Sequence, residues 1–273
     1  YTYSQAKDLM SAGSVASGSF TAAKSVVGNN ILDLQYADQD LPNRMVGLLG
    51  YRIEYGNNVI GATQFSIGYV GETRGFNPAN GIPTSRYSWS IAGDMNGDGV
   101  QNNDLLFVPE NAADLTFATL ELKNSAGQVV KTFTPEQQRD AFEAFIKQDE
   151  YLSANRGQYA VRNGVLFPML HRFDFSVVQE FGIKVAGKRN TLQFRVDILN
   201  AANMINDSWG VQKVLVTDRP ISFSSVDANG VPRYTMATQT INGQAELLRD
   251  TYVTGQSPFD VWNAQFGIRY IFN

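Results

Sequence analysis

The stretch Trp262-Asn263-Ala264-Gln265-Phe266-Gly267-Ile268-Arg269-Tyr270-Ile271-Phe272 decides the fold. Every second residue is apolar, from Trp262 through Ala264, Phe266, Ile268 and Tyr270 to Phe272. The residues between them are polar or small, with Ile271 the exception. A period of two puts alternate side chains on opposite faces of a strand. The apolar face has aromatics near both ends and aliphatics between. A lipid-facing strand of an outer-membrane barrel has this pattern, an apolar band between two aromatic girdles. At roughly 3.3 Å per residue and a tilt of about 45°, such a strand crosses roughly 25 Å. The competing reading is a half-buried strand of a soluble sandwich. Length and position favour the membrane.

Two hairpins repeat the pattern. Met45, Gly47, Leu49, Tyr51, Ile53 and Tyr55 alternate with Arg44, Val46, Leu48, Gly50, Arg52 and Glu54. Gly56, Asn57 and Asn58 supply turn residues. The return strand sets Phe65, Ile67 and Tyr69 against Gln64, Ser66 and Gly68. In the second hairpin, Phe173, Phe175 and Val177 oppose Arg172, Asp174, Ser176 and Glu180. The chain turns through residues 186–190 and returns with Leu192, Phe194, Val196 and Ile198 against Gln193, Arg195 and Asp197.

The other connections are long, roughly residues 8–43, 73–167 and 203–257. Soluble domains rarely carry such connections. Outer-membrane barrels do, with short periplasmic turns and long extracellular loops. The two short turns and the C-terminus are therefore expected in the periplasm. Tyr1, Tyr3 and Ser4 read as a strand in progress, which brings the expected spanning strands to about six. The smallest such barrels have about eight. Residues 1–273 are thus expected to be the C-terminal part of one outer-membrane β-barrel domain, its plug and N-terminal strands absent.

Composition agrees. Aromatics make up 12% of the chain, yet mean hydropathy is slightly negative. Alternating lipid-facing and lumen-facing residues give this combination. No run of 18 apolar residues suggests a membrane helix. A net charge of −4 without a basic run argues against nucleic acid as a partner. Cysteine is absent, which excludes disulfide frameworks and thiolate metal sites.

The loops carry structure of their own. Thr134-Pro135-Glu136-Gln137 starts a helix, with Thr134 as N-cap and Gln137 closing a capping box. Ala141, Phe142, Phe145 and Ile146 form its apolar stripe. Residues 115–133 read as a hairpin around Ser125, Ala126 and Gly127, and residues 227–230 as the turn of another.

Asp94-Met95-Asn96-Gly97-Asp98-Gly99 is the sharpest site signal. Side-chain oxygens at positions 1, 3 and 5, with glycine at 6, form the first half of a calcium loop. Val100 offers its carbonyl at position 7. Position 12 is Leu105 rather than Glu, so Asp104 at position 11 is the candidate closing carboxylate. The expected metal set is Asp94, Asn96, Asp98, Val100 and Asp104, a structural calcium site, with no cofactor required. The alternative is an Asx-rich turn without metal. His171, the one histidine, lies within a strand pattern and reads as a wall residue. Arg156, Arg162 and Asn163 read as ties between loop and rim, with an anionic ligand as the weaker alternative. Tyr87, Trp89, Tyr151 and Trp209 read as rim packing rather than stacking platforms for a sugar or siderophore.

Four motifs lie along the chain: residues 151–164 ahead of Arg172-Phe173-Asp174-Phe175-Ser176; Gly93 to Gly99 followed by Asn103-Asp104-Leu105; Leu199-Asn200 with Asn206 to Gly210; and Gln265 to Asn273. Together they resemble the C-terminal barrel of TonB-dependent receptors of Bacteroidota, the Oar-like branch. The ending also resembles the signal read by the barrel-assembly machinery. The resemblance implies a 22-stranded barrel with a plug, contact with TonB through the missing N-terminal part, and energised uptake of a large or scarce extracellular substrate. It implies a transporter rather than an enzyme. Two alternatives stand beside it: a non-transport outer-membrane barrel serving as adhesin or scaffold, and a soluble calcium-dependent carbohydrate-binding β-sandwich.

Overall fold

The computed structural model describes residues 1–273 apart from 12, 14, 57–59, 186 and 273. The chain is mostly strand. One antiparallel sheet takes six strands in chain order: β1 (Thr2–Tyr3), β2 (Asn43–Tyr55), β3 (Ile60–Thr73), β4 (Met169–Val185), β5 (Lys188–Leu199) and β6 (Asn263–Phe272). Each strand of β2 to β6 is rich in β-branched and aromatic residues, which suit a pleated surface. Among the described residues this sheet is open. β2 pairs with β3 along its length but with β1 only at Asn43 and Arg44, and β6 pairs with β5 alone. The remaining strands form small sheets of two to four strands.

The second hairpin is tighter than its sequence suggests. Asn190, expected in the turn, pairs with Ile183 and Phe272 inside the sheet. In the first hairpin, Asn57 and Asn58 lie outside the described residues.

The antiparallel order sends all three long connections to one end of the sheet. They pack on one another. Their core gathers Tyr87, Trp89, Leu106, Val108, Phe142, Phe145, Ile146, Leu152, Phe167, Leu215 and Leu248, among others. None of the residues of this cluster belongs to β1–β6. Trp89 meets Phe145 edge-on with ring centroids 5.6 Å apart, and Tyr87 meets Phe167 at 4.9 Å.

Helix α1 (Ala16–Ala22) lies in the first connection, and α2 (Pro135–Gln148) and α3 (Glu150–Ala154) in the second. Thr134 caps α2, and Gln137 returns the bond to the Thr134 amide at 2.9 Å. Phe142, Phe145 and Ile146 are its buried stripe. Asp149 starts α3: Oδ1 accepts from the Leu152 amide at 2.9 Å and Oδ2 from the Thr251 hydroxyl at 2.8 Å. Both expected small hairpins form, Leu120–Lys123 with Val129–Phe133, and Ile221–Val226 with Pro232–Met236. Among the described residues no helix is long and apolar enough to cross a membrane.

Candidate functional site

Residues opposite one another in a ladder share a face, so the register tests the alternation directly. The row Tyr51–Phe65–Val177–Val196–Phe266 crosses all five long strands. The row Leu49–Ile67–Phe175–Ile198–Ala264 lies beside it. The opposite face carries Gly50–Ser66–Ser176–Asp197–Gln265 and Glu54–Ala62–Glu180–Gln193–Arg269. The two faces therefore divide as the sequence pattern divides them.

Among the described residues no second layer covers the apolar face. Phe266 is 80% exposed, Ile268 73% and Leu49 69%. A soluble sheet of this size buries one face against another layer. Aromatics mark both ends of the face. Tyr1, Tyr3, Tyr69 and Phe173 stand toward the long loops, and Tyr55, Phe181, Tyr270 and Phe272 toward the short turns. Polar side chains on this face sit near its ends, as His171 and Asn190 do, except for Thr63 and Gln179, which face each other between the aromatic ends. They satisfy each other: Thr63 donates to Gln179 Oε1 at 2.6 Å, and Gln179 Nε2 donates to the Tyr55 hydroxyl at 2.6 Å.

The polar face is laced with charge pairs. Arg52 reaches Glu180 at 2.7 Å and Glu54 at 3.0 Å, and Arg195 holds Asp197 at 2.7 Å. Gln64, Ser66, Asp174, Ser176, Asp197 and Gln265 share one hollow of about 430 Å³.

At the rim, an asparagine–aspartate joint fastens the sheet to the loops. The Asn200 amide donates to Asp174 Oδ1 at 2.8 Å. Asn200 Nδ2 donates to the carbonyls of Gly210 at 3.1 Å and Asp260 at 3.3 Å. Arg172 donates to the Phe259 carbonyl at 2.9 Å. Gly210 sits at φ 66°, and a Cβ there would overlap Asn200 Oδ1. The Leu199-Asn200 to Gly210 element is thus a turn built around one side chain. Sequence reading found the element but not this joint, whose partners Asp174 and Asp260 are far away in the chain.

His171 lies in β4, and Tyr69 Oη is 2.8 Å from its Nδ1. Arg156 clips Glu143 of α2 at 2.8 Å and the Glu110 carbonyl at 2.8 Å. Burial works against the Glu143 carboxylate, but Arg156, the Ala112 amide and Lys147 hold it below the usual glutamate range. Arg162 pairs with Asp8, and Asn163 Nδ2 donates to Asp38 at 2.6 Å and to the Tyr36 carbonyl at 2.9 Å. Arg162 and Asn163 tie the second connection to the first, while Arg156 braces the second connection within itself; none of these bonds reaches the sheet rim expected from the sequence. Tyr87 and Trp89 are wholly buried in the loop core, and the Tyr151 hydroxyl accepts from the Val161 amide at 2.9 Å. Trp209 alone of the four loop aromatics stands half exposed.

The residues of the Asp94 loop come together. Asp94 Oδ1 accepts from the amides of Gly97 at 2.8 Å and Asp98 at 3.1 Å, and its Oδ2 from Gly99 at 2.9 Å. Asn96 Oδ1 accepts from Asp98 at 2.9 Å, and Asp98 Oδ1 from Val100 at 2.8 Å. Gly99 closes the turn at φ 85°, a conformation that favours glycine. Asp104 Oδ2 accepts from the amides of Met95 and Asn96. Burial raises the Asp104 pKa, the two amides oppose this, and the Asp98 and Asp94 charges add to the rise. Among the described residues no three His, Cys, Asp or Glu side chains are gathered closely enough to form a metal cluster. The Asp94, Asn96, Asp98 and Asp104 side chains each accept backbone amides of the loop.

The chain matches no protein-family model, no curated protein and no solved structure.

Proposed function

We propose that this chain forms part of the wall and several extracellular loops of an outer-membrane β-barrel, the C-terminal part of a TonB-dependent receptor. One observation carries the membrane half of this reading. Among the described residues the large sheet exposes an apolar face across five strands, while the main hydrophobic cluster lies in the connections. In water such a face is an aggregation surface. In hydrocarbon it is the ordinary outside of a barrel, and the charged face opposite is the ordinary inside. The mutual satisfaction of Thr63 and Gln179 fits the same medium, because lipid offers no partner to a stray polar group. The open edges of β2 and β6 would pair with further strands of the wall.

Transport driven through TonB rests on the resemblance of the quoted motifs, not on the sheet. The substrate, the lipid contact and the role of the assembly machinery belong to the same proposal. A sandwich has no second sheet here to cover the apolar face, which weighs against the soluble alternative.

Labelling of the intact protein in bilayers with a lipid-borne photoreactive probe tests the wall. Leu49, Phe65, Phe194, Phe266 and Ile268 should be labelled, and Gln64, Ser176, Asp197 and Gln265 should not. Equal labelling of both faces would sink the reading. Loss of substrate uptake on de-energising TonB would separate a transporter from an adhesin or scaffold.

A further inference from the structure

The hydrogen bonds of the Asp94 loop leave Asp104 Oδ1, Asn103 Oδ1 and Asn96 Nδ2 buried without partners. Asp104 is 3% exposed, and its Oδ1 is buried with no partner. Its other oxygen accepts two amides of the loop, which fixes the carboxylate inside it. A buried carboxylate oxygen without a donor is costly. A cation bound in the loop would be a partner for it, with Asp94 and Asp98 of the same loop as further oxygen ligands once drawn inward. The available donors are all oxygens, which suits a hard cation. Calcium accepts irregular sets of six to eight oxygens, whereas magnesium demands a near-ideal octahedron.

We infer that the Asp94–Asp104 loop binds one calcium ion through Asp94, Asn96, Asp98, the Val100 carbonyl and Asp104, and that the ion fastens residues 24–31 to the loop. The second half follows from what touches the ligands. The Ser25 amide donates to the Asn103 carbonyl at 3.1 Å, and the Leu105 amide donates back to the Ser25 carbonyl at 2.9 Å, so Asp104 sits inside a bridge to the first connection. Asn103 Nδ2 donates to Asn29 Oδ1 at 3.0 Å. Gly28 lies against the Asp98 carboxylate, where a Cβ would stand 3.4 Å from Oδ2. The carboxylates are not gathered as they stand, so loading must draw side chains inward. Movement at Asp98 reaches Gly28, and movement at Asp104 reaches Ser25. The first connection would then be held by a metal at one end and by the Arg162–Asp8 pair at the other. This inference does not depend on the medium around the sheet.

The test titrates calcium into the chelator-stripped intact protein in detergent, with calorimetry and hydrogen exchange read together. One ion per chain should bind, and amides in 24–31 and in 94–105 should both become protected. Asp98→Asn keeps an acceptor for the Val100 amide at an exposed site, so it should fold normally and weaken binding at least tenfold. Asp104→Asn should do the same. Absence of heat and protection in the parent protein overturns the site. Unchanged calcium affinity in Asp98→Asn overturns the ligand set. Protection confined to 94–105 overturns the fastening of the first connection.

Discussion

Ile268→Arg places a charge where the proposed wall tolerates it least. Ile268 stands four residues from Phe272 and six from Trp262, the two aromatic ends of the β6 segment. At roughly 3.3 Å per residue and a tilt of about 45°, it lies roughly 9 Å from the Phe272 level, near the middle of the apolar band. Its ladder neighbour is Phe194, and it is mostly exposed, so the substitution removes little packing within the chain. What remains is the cost of the charge in hydrocarbon, about 2–4 kcal/mol at the midplane. At 1.4 kcal/mol per tenfold, that lowers the folding equilibrium roughly 30- to 1000-fold. Gln265→Arg is the control three residues away. It lies on the opposite face, with Asp197 as its ladder partner, and should cost under about 0.5 kcal/mol. Urea-dependent folding of the intact protein in lipid vesicles, followed by heat-modifiable electrophoresis, measures both. In water the order would differ, because an arginine on an already exposed face costs almost nothing. Equal tolerance of the two substitutions refutes the lipid assignment, and a costlier Gln265→Arg reverses the faces.

The loop layer gives three further expectations. Phe145→Ala removes a buried ring set against Trp89 and should cost about 3–5 kcal/mol; limited proteolysis should show residues 74–168 cut while the strands remain protected. Glu143 has a depressed pKa in the folded chain, so its clip to Arg156 contributes fully above the ordinary glutamate value of about 4.3 and is lost as pH falls through the lower folded value. Hydrogen exchange at Ala112 and α2 should therefore rise on acidification, and Glu143→Gln should remove that pH dependence. Gly210→Ala meets both a positive φ and the Asn200 side chain, and should loosen the joint between β5 and the third connection by about 1–3 kcal/mol, read as faster exchange at Asn200.

The strands of the large sheet were legible because each is read by one local rule. A period of two, repeated over ten or more residues, fixed which of Phe266 and Gln265 shares a face with Val196. The α2 start was legible for the same reason, since Thr134 and Gln137 satisfy each other within one turn. Register was not local. Nothing in the order of residues says that Thr63 stands opposite Gln179, or that both reach Tyr55. The loop core was hidden likewise. Tyr87 and Trp89 read as packing residues, but nothing local says that they pack in a loop core on Phe145 and Phe167, more than 50 residues on. At the candidate site the oxygen-bearing spacing was plain in the sequence. The unpartnered Asp104 oxygen and the approach of Gly28 were not, because both depend on how the first connection folds back onto the second.

The chain divides its stabilising terms between two regions with different needs. The sheet has ladders and charge pairs but no core, so its apolar face acquires value only from a surrounding apolar medium. The connections have a core of their own and need no such medium. Few links join the two regions: Asp174 to Asn200, Arg172 to the 259–260 segment, and the chain itself at Arg74 and Pro168. Loop closure alone would leave a connection of some ninety residues free to sample widely, since its cost grows only slowly with length. Its packed aromatics remove that freedom. The loops are therefore a built cap over one end of the sheet, and the first connection, which adds no side chain to the central cluster, is attached to that cap by polar bonds. Buried ion pairs, Asp40–Arg86 at 2.6 Å and Lys24–Asp218 at 3.6 Å, and the stacking of Arg86 over Tyr36 add to those bonds. Separating the first connection would expose little apolar surface but would strand buried charges, which is costly, so it is fastened to the cap by electrostatics where the other two are fastened by packing.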